Sequence, residues 1–375
     1  MHRRQFLTQA SLSAAALTLG NWGCSAQANR NAMPNYTATG VQMLHSTTPR
    51  QDGFYFPAEE TAHEYTIMAF VPEQNWADYG LRDAQREWAA TANAVSEFEP
   101  VLMVVDPGDR AVARRLLNSD IEQIEFPLND GWSRDTGPIV LVNPQTGERR
   151  VAGVTFNGWG AKFPPYSDDA LLKARLSAEL GWAMYPSDLI MEGGGIIHDG
   201  EGTIITTEQC LLHPNRNPGW TKADVEAVFR DYFAAEKTIW LGNGLVPDPV
   251  TDGHVDGLAA YVEPGVVLLY TTDDRSDANF AICQDAKARM SAATDAQGRR
   301  FEIIEMPLGT VVHMGFYLVN GGVIVPIAED PAEDDEPLAI LQEVFPEREV
   351  VGVPGVILAE GGGSVHCITQ QVPQV

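Results

Sequence analysis

A chain of 375 residues, 44% of them hydrophobic, is long enough to bury a sizeable core and is neither disordered nor fibrous in composition. Its 51 acidic and 25 basic side chains leave a formal charge of −26, which argues against nucleic acid or an anionic membrane surface as partner and favours a small cationic one.

At the N-terminus "HRRQFL" places Arg3 and Arg4 ahead of an apolar stretch, "LSAAALTLG", and then "AQA" at Ala26–Ala28, a small-residue cleavage pattern. Residues 1–28 read as a twin-arginine export signal, which predicts a periplasmic or extracellular protein. A lipid anchor on Cys24 is disfavoured, because "NWGC" lacks an aliphatic residue at its start. No later apolar run reaches the length of a bilayer span. Residues 29–51 read as a linker and 52–375 as one domain, since no Pro/Gly/Ser-rich stretch divides them.

Through that domain, amphipathic periodicity predicts helices over 82–98, 110–118, 168–180, 221–236, 277–292 and 336–345. Thr221 followed by Asp224, and Ser167 followed by two aspartates, supply N-caps with acidic first turns. Between the helices lie short β-rich runs: "TIMAFV", "VLMVV", "PIVLV", "TIITT", "VVLLY", "GVIVPI" and "HCIT". The alternation predicts an α/β fold. Gly137, Gly202, Gly265, Gly322 and Gly363 each introduce such a run, which suggests about five divergent βαβ-type units closing into a ring. The acidic stretch "EDPAEDDE" (329–336) reads as a solvated loop.

Cysteine usage excludes a disulfide framework. Beyond Cys24 there remain Cys210, Cys283 and Cys367, an odd number with no CxxC pair. Cys210 and Cys283 sit in apolar surroundings and read as buried packing, able to pair only in an oxidising compartment. Cys367 differs, because it follows three glycines and a histidine in "GGGSVHCITQQ".

Three other stretches share that mixture of glycine and polar residues: "NDGWSRDTGP", "MEGGG" and "TDGHVDG". The four together offer Asp135, Glu192, His254, Asp256 and Cys367. A cysteine nucleophile needs a histidine to manage its proton, and that histidine is usually oriented by a carboxylate. Two carboxylates are then left over. They would hinder attack on a neutral amide, which needs an oxyanion hole, but they suit a guanidinium, whose paired N–H donors match carboxylates two at a time. Simpler readings exist for each residue. Cys367 could be core packing, Asp135 an ion-pair partner of Arg134, and "GHVD" a turn. His254 and Asp256 with His198 and Asp199 could ligate a metal, although the spacing fits no zinc pattern. Gly193–Gly195 could imitate a phosphate loop, although no GxxxxGK[ST] follows.

The assembled passages "NDGWSRDTGPIVLV", "MEGGGIIHDGEGTIITTEQCLLHPNRNP", "TDGHVDGLAAYVEPGVVLL", "NGGVIVPI" and "GGGSVHCITQQVP" resemble the agmatine deiminase family over about residues 52–373. That family is a branch of the guanidino-group-modifying enzymes which also includes the bacterial type of peptidylarginine deiminase. The resemblance implies a five-bladed α/β propeller (pentein) of pseudo-fivefold symmetry and a hydrolase making N-carbamoylputrescine and ammonia from agmatine. It implies Cys367 as nucleophile, His254 as general acid/base, Glu192 as its orienter, Asp135 and Asp256 as holders of the guanidinium, and Trp132 as a pocket wall. It implies no metal or organic cofactor, and it leaves oligomeric state open. Gly257 and "LAAY" stand where the family commonly has Asn and "LARF", "VVHMG" differs before "FYLVN", and "IMAFVPEQNW" lacks a tryptophan expected near its start. These departures keep peptidyl or free arginine as alternative substrates, and an inactive exported binder of cations as the non-enzymatic alternative.

Overall fold

The computed structural model describes Pro34 and residues 36–76 and 80–375. The expected export signal and Cys24 fall outside these residues. No described helix is long and apolar enough to cross a membrane.

The fold is mixed α/β, with five small sheets of one repeated design. In each, a first strand pairs antiparallel with a second, and a helical crossover leads to a third strand that lies parallel to the second. Ile139–Asn143, Glu148–Thr155 and Met184–Ile190 form one such sheet, joined across by the helix Asp169–Glu179. Ile196–His198, Thr203–Thr207 and Lys237–Leu241 form the next, with Lys222–Phe233 as crossover. Ala259–Glu263, Val266–Thr271 and Glu302–Pro307 follow, bridged by Phe280–Ala292. Then come Tyr317–Val319, Gly322–Ile327 and Glu349–Pro354, bridged by Pro331–Val344. The remaining sheet joins the chain ends. Thr369–Pro373 pairs antiparallel with His63–Ala69, which runs parallel to Val101–Val105 across the helix Leu81–Ser96, and Glu122–Glu125 adds a fourth strand.

Four of the first strands are preceded by a single helical turn: Ser133–Thr136, Gly193–Gly195, His313–Gly315 and His366–Ile368. The fifth follows the tight segment 251–257. These turns bond to one another. Gly194 N donates to Asp135, Asp256 N donates to Gly194 O, Ser133 Oγ donates to Ile368 O at 2.6 Å, and Ser364 Oγ donates to Gly315 O at 2.9 Å. Residues far apart in the chain thus meet where the first strands begin.

Some sequence expectations change. The five glycine-led openings are of two kinds. Gly202 and Gly265 lie in hairpin turns at positive φ (101° and 88°), as Gly147 and Gly321 do in their sheets, whereas Gly137 and Gly363 precede first strands. "HCIT" is mostly the turn His366–Ile368, and the strand starts only at Thr369. The acidic stretch is no loop. Asp330 caps a helix by accepting from Ala332 N, Pro331 fills its first turn, and acids there favour the positive end of the helix dipole. Within it Asp334 is buried against His313 at 2.8 Å. The capping box at Thr221 and Asp224 forms as read, worth about 1 kcal/mol. Ser167 caps nothing: the helix begins at Asp169, whose carboxylate instead receives the Asn129 and Asp130 N–H groups.

Candidate active site

The glycines around Cys367 have specific reasons. Gly362 sits at φ 85°, a conformation that side chains resist. A Cβ on Gly363 would come within 2.2 Å of the Trp132 ring, and one on Gly361 within 2.5 Å of Trp76. The second triplet works the same way, since a Cβ on Gly194 would fall 2.6 Å from Asp256 Oδ2 and 2.7 Å from His254 Nδ1. Bare backbone lets the polar groups converge.

Cys367 Sγ, partly exposed, lies 3.8 Å from Asp256 Oδ2. The same oxygen is 2.9 Å from His366 Nδ1. Asp256 Oδ1 is 3.9 Å from His254 Nδ1, and the other edge of that ring places Nε2 3.2 Å from Glu192 Oε2. Glu192 is fully buried and accepts from Arg216 Nε at both oxygens, at 3.0 and 2.8 Å. Asp135 accepts from Gly194 N at 3.0 Å and from Trp159 Nε1 at 2.9 Å. Asp135, Glu192, His254, Asp256 and Cys367 are therefore brought together, and Arg134 does not pair with Asp135. It bonds instead to Glu59 at 3.2 Å and Gln371 at 2.7 Å.

Electrostatics separate the groups. Burial would push Glu192 up, but the Arg216 guanidinium and His254 hold it at about 2, an anion at any working pH. Burial disfavours a charged His254, yet Asp135, Cys210 and Glu192 together raise it well above the usual imidazole range. Burial also pushes Asp256 up, and the bond from His366 brings it below the ordinary carboxylate value. Asp135 stays raised, because burial outweighs the pull of His254 and the nearby Glu192 and Asp256 add to it. Burial, then Asp256 and Asp135, drives the Cys367 thiol well above its ordinary value, which favours the neutral thiol over the thiolate.

Trp132, expected as a pocket wall, is buried with Trp76 and Trp88, its ring 5.1 Å from that of Trp88 and against Gly363. His198 does not join His254; its ring stacks on Phe56 at 3.7 Å. Cys210 is not mere packing, because it comes together with Glu192 and His254. It is also free, as is Cys283, so the two form no disulfide. Sequence reasoning missed Arg216, His366, Glu59 and Trp159. His366 adjoins Cys367, and Arg216 lies in the quoted "PNRNP", so signals existed for both. Glu59 carries none. It enters from before the first sheet to accept from His366 Nε2 at 3.1 Å and to pair with Arg134.

A family model described as Porphyromonas-type peptidyl-arginine deiminase matches residues 55–373. An agmatine deiminase of Pseudomonas aeruginosa (strain LESB58) is 42% identical over 364 residues, covering 88% of this chain and 98% of the relative. One of Ectopseudomonas mendocina (strain ymp) is 41% identical, with the same coverage. Among solved structures, the agmatine deiminase of Enterococcus faecalis superposes with a TM-score of 0.83 at 33% identity, covering 89% of this chain and all (100%) of that one. A C. jejuni agmatine deiminase with substrate bound gives 0.77 at 26% identity, covering 85% and 96%.

Proposed function

The chain belongs to the Porphyromonas-type peptidyl-arginine deiminase family, and on that premise we propose that it is a hydrolase deiminating agmatine to N-carbamoylputrescine and ammonia. The observation that carries the reading is the convergence of the Cys367 sulfur with Asp256, His254 and Asp135, with Glu192 behind the imidazole. The five sheets of one design, each first strand entered by a tight segment, support the five-bladed propeller as the underlying architecture.

In this reading Asp135 and Asp256 grip the guanidinium and set its carbon opposite Sγ. Docking a permanent cation offsets the negative surroundings that keep the thiol protonated, and the proton leaves as the substrate binds. The thiolate adds to the guanidinium carbon. His254, held as an imidazolium by its anionic neighbours, protonates the departing nitrogen, which leaves as ammonia and gives a Cys367 thiouronium. His254 then takes a proton from water, which attacks the same carbon, and the C–S bond breaks to release the ureido product. Glu192 fixes the ring from its far edge, while Trp132, buried in the tryptophan cluster, backs the Gly363 backbone that leads to Cys367.

One observation favours a second reading. Gly257, next to Asp256, has nothing within 4 Å of where its Cβ would stand. Space left bare at that point suits a substrate larger than agmatine beyond the guanidinium, such as peptidyl or free arginine. Ammonia release from agmatine, arginine and a short arginine peptide distinguishes the two. Dominant turnover of the peptide would replace agmatine as substrate, and no turnover of any guanidino compound would leave a binder of cations. The arginine pair and apolar run within residues 1–28 support an enzyme working outside the cytoplasm, and fusing those residues to a reporter tests this by fractionation.

A further inference from the structure

Behind the imidazole, on the edge turned away from Asp256, two side chains of the reaction meet a cysteine to which deimination gives no role. Glu192, Cys210 and His254 each offer one ligand atom, all three are buried, and these atoms lie within 4.8 Å of one another. Cys210 is held there by the turn Glu208–Leu211, in which its own N–H donates to the capping Thr207 Oγ1 at 3.2 Å. Gly195 flanks the group without a side chain: its Cβ position is 3.6 Å from Cys210 Sγ and 4.0 Å from His254 Cδ2.

We propose that Glu192, Cys210 and His254 form a site for a soft divalent ion, Zn2+ or Cd2+, whose binding arrests the enzyme without engaging Cys367. One thiolate, one imidazole and one carboxylate are the ligands such ions prefer, with water in the fourth position. Bond lengths of about 2.0 to 2.3 Å require donors roughly 3.3 to 3.8 Å apart. The 3.2 Å between His254 Nε2 and Glu192 Oε2 is close to this, and all three donor atoms lie within 4.8 Å of one another.

Arg216 is the evident obstacle, since its Nε holds both oxygens of Glu192. A carboxylate has about four acceptor positions, so lone pairs remain for a metal. Charge also balances: ligating as a thiolate and a carboxylate, Cys210 and Glu192 set two negative charges against the ion's two positive ones. Nε2 faces Glu192 while Nδ1 faces Asp256, so a metal on Nε2 leaves the guanidinium site open. Inhibition is then noncompetitive with agmatine. This inhibition rests on the acid/base reading of His254, whereas metal binding does not.

The test uses the Cys367→Ala protein titrated with CdCl2. An ultraviolet sulfur-to-cadmium charge-transfer band should appear, and Cys210→Ala in that background should abolish it. No band in Cys367→Ala, or a band surviving the second substitution, overturns the proposal. Should Cys210→Ala fail to fold, the nearly isosteric Cys210→Ser decides in its place by the same loss of the band. In the wild-type enzyme ZnCl2 should stop ammonia release noncompetitively and EDTA should restore it. Competitive inhibition would overturn the arrest, while absent turnover without metal would count against the deiminase reading and leave the cadmium result standing.

Discussion

Cys367 and Asp256 share more than proximity: the carboxylate oxygen 3.8 Å from the sulfur is the one that His366 approaches to 2.9 Å. His366 in turn reaches Glu59, and Glu59 reaches Arg134, so the anion beside the nucleophile is braced from behind. An anion so placed opposes a thiolate until a cation arrives. The thiol is thereby held in its unreactive form.

That form predicts the reactivity of the free protein. Iodoacetamide labelling of Cys367 should accelerate with pH and show no plateau up to pH 9, the ordinary thiol value, because burial, Asp256 and Asp135 hold the thiol above it. Cys210 and Cys283 are buried and should not interfere. A plateau near neutrality would mean a preformed thiolate.

Removing the nucleophile should separate chemistry from binding. Cys367→Ala should lower ammonia release by on the order of 1,000-fold or more while agmatine binding, followed calorimetrically, persists. Asp135→Ala or Asp256→Ala should instead weaken binding and turnover together, each by about 1.5 to 3 kcal/mol in kcat/KM for a lost charge-assisted hydrogen bond. An Asp135 variant with unchanged KM would exclude it from the guanidinium site.

Arg216→Met should be costly far from any substrate. It strands the buried Glu192 carboxylate without its counter-ion, a loss of about 3 to 5 kcal/mol read as a fall in the chemical denaturation midpoint. The pH arm follows from sign. Glu192 is held near 2 against an ordinary 4.5, so its contribution is fully present above pH 4.5 and fades as pH falls toward 2. Arg216→Met should lose that acid-side slope, and an unaltered slope would remove Glu192 from the account.

Gly257→Asn should fold normally, since its added side chain meets open space and the glycine is not at positive φ. If the bare position admits larger substrates, the variant should shift the ratio of agmatine to arginine-peptide turnover toward agmatine. An unchanged ratio would move the specificity determinant elsewhere.

Local chemistry left a readable trace where one segment carried the whole signal. The helix at 222–233 with its capping box, the strand "VLMVV" and the glycine-rich passages holding Asp135, Glu192, His254, Asp256 and Cys367 were legible because propensity, caps and close backbone approach are properties of neighbours in the chain. Strands such as Ile196–His198 and Tyr317–Val319 were not, being three residues long and buried on both faces, with no alternation to betray them. The acidic run at 329–336 was misread because negative charge serves a helix start as well as a solvated loop.

The sequence by itself determined the α/β character, the glycine-rich passages and which side chains could do chemistry. Tertiary structure alone decided that Arg216 neutralises Glu192, that Glu59 braces His366, and that Cys210 stands at the base rather than in inert packing. The physical reason is that charge pairing in a buried site depends on distance in space, and residues 24, 307 and 44 positions apart, respectively, become neighbours only once the five sheets are assembled.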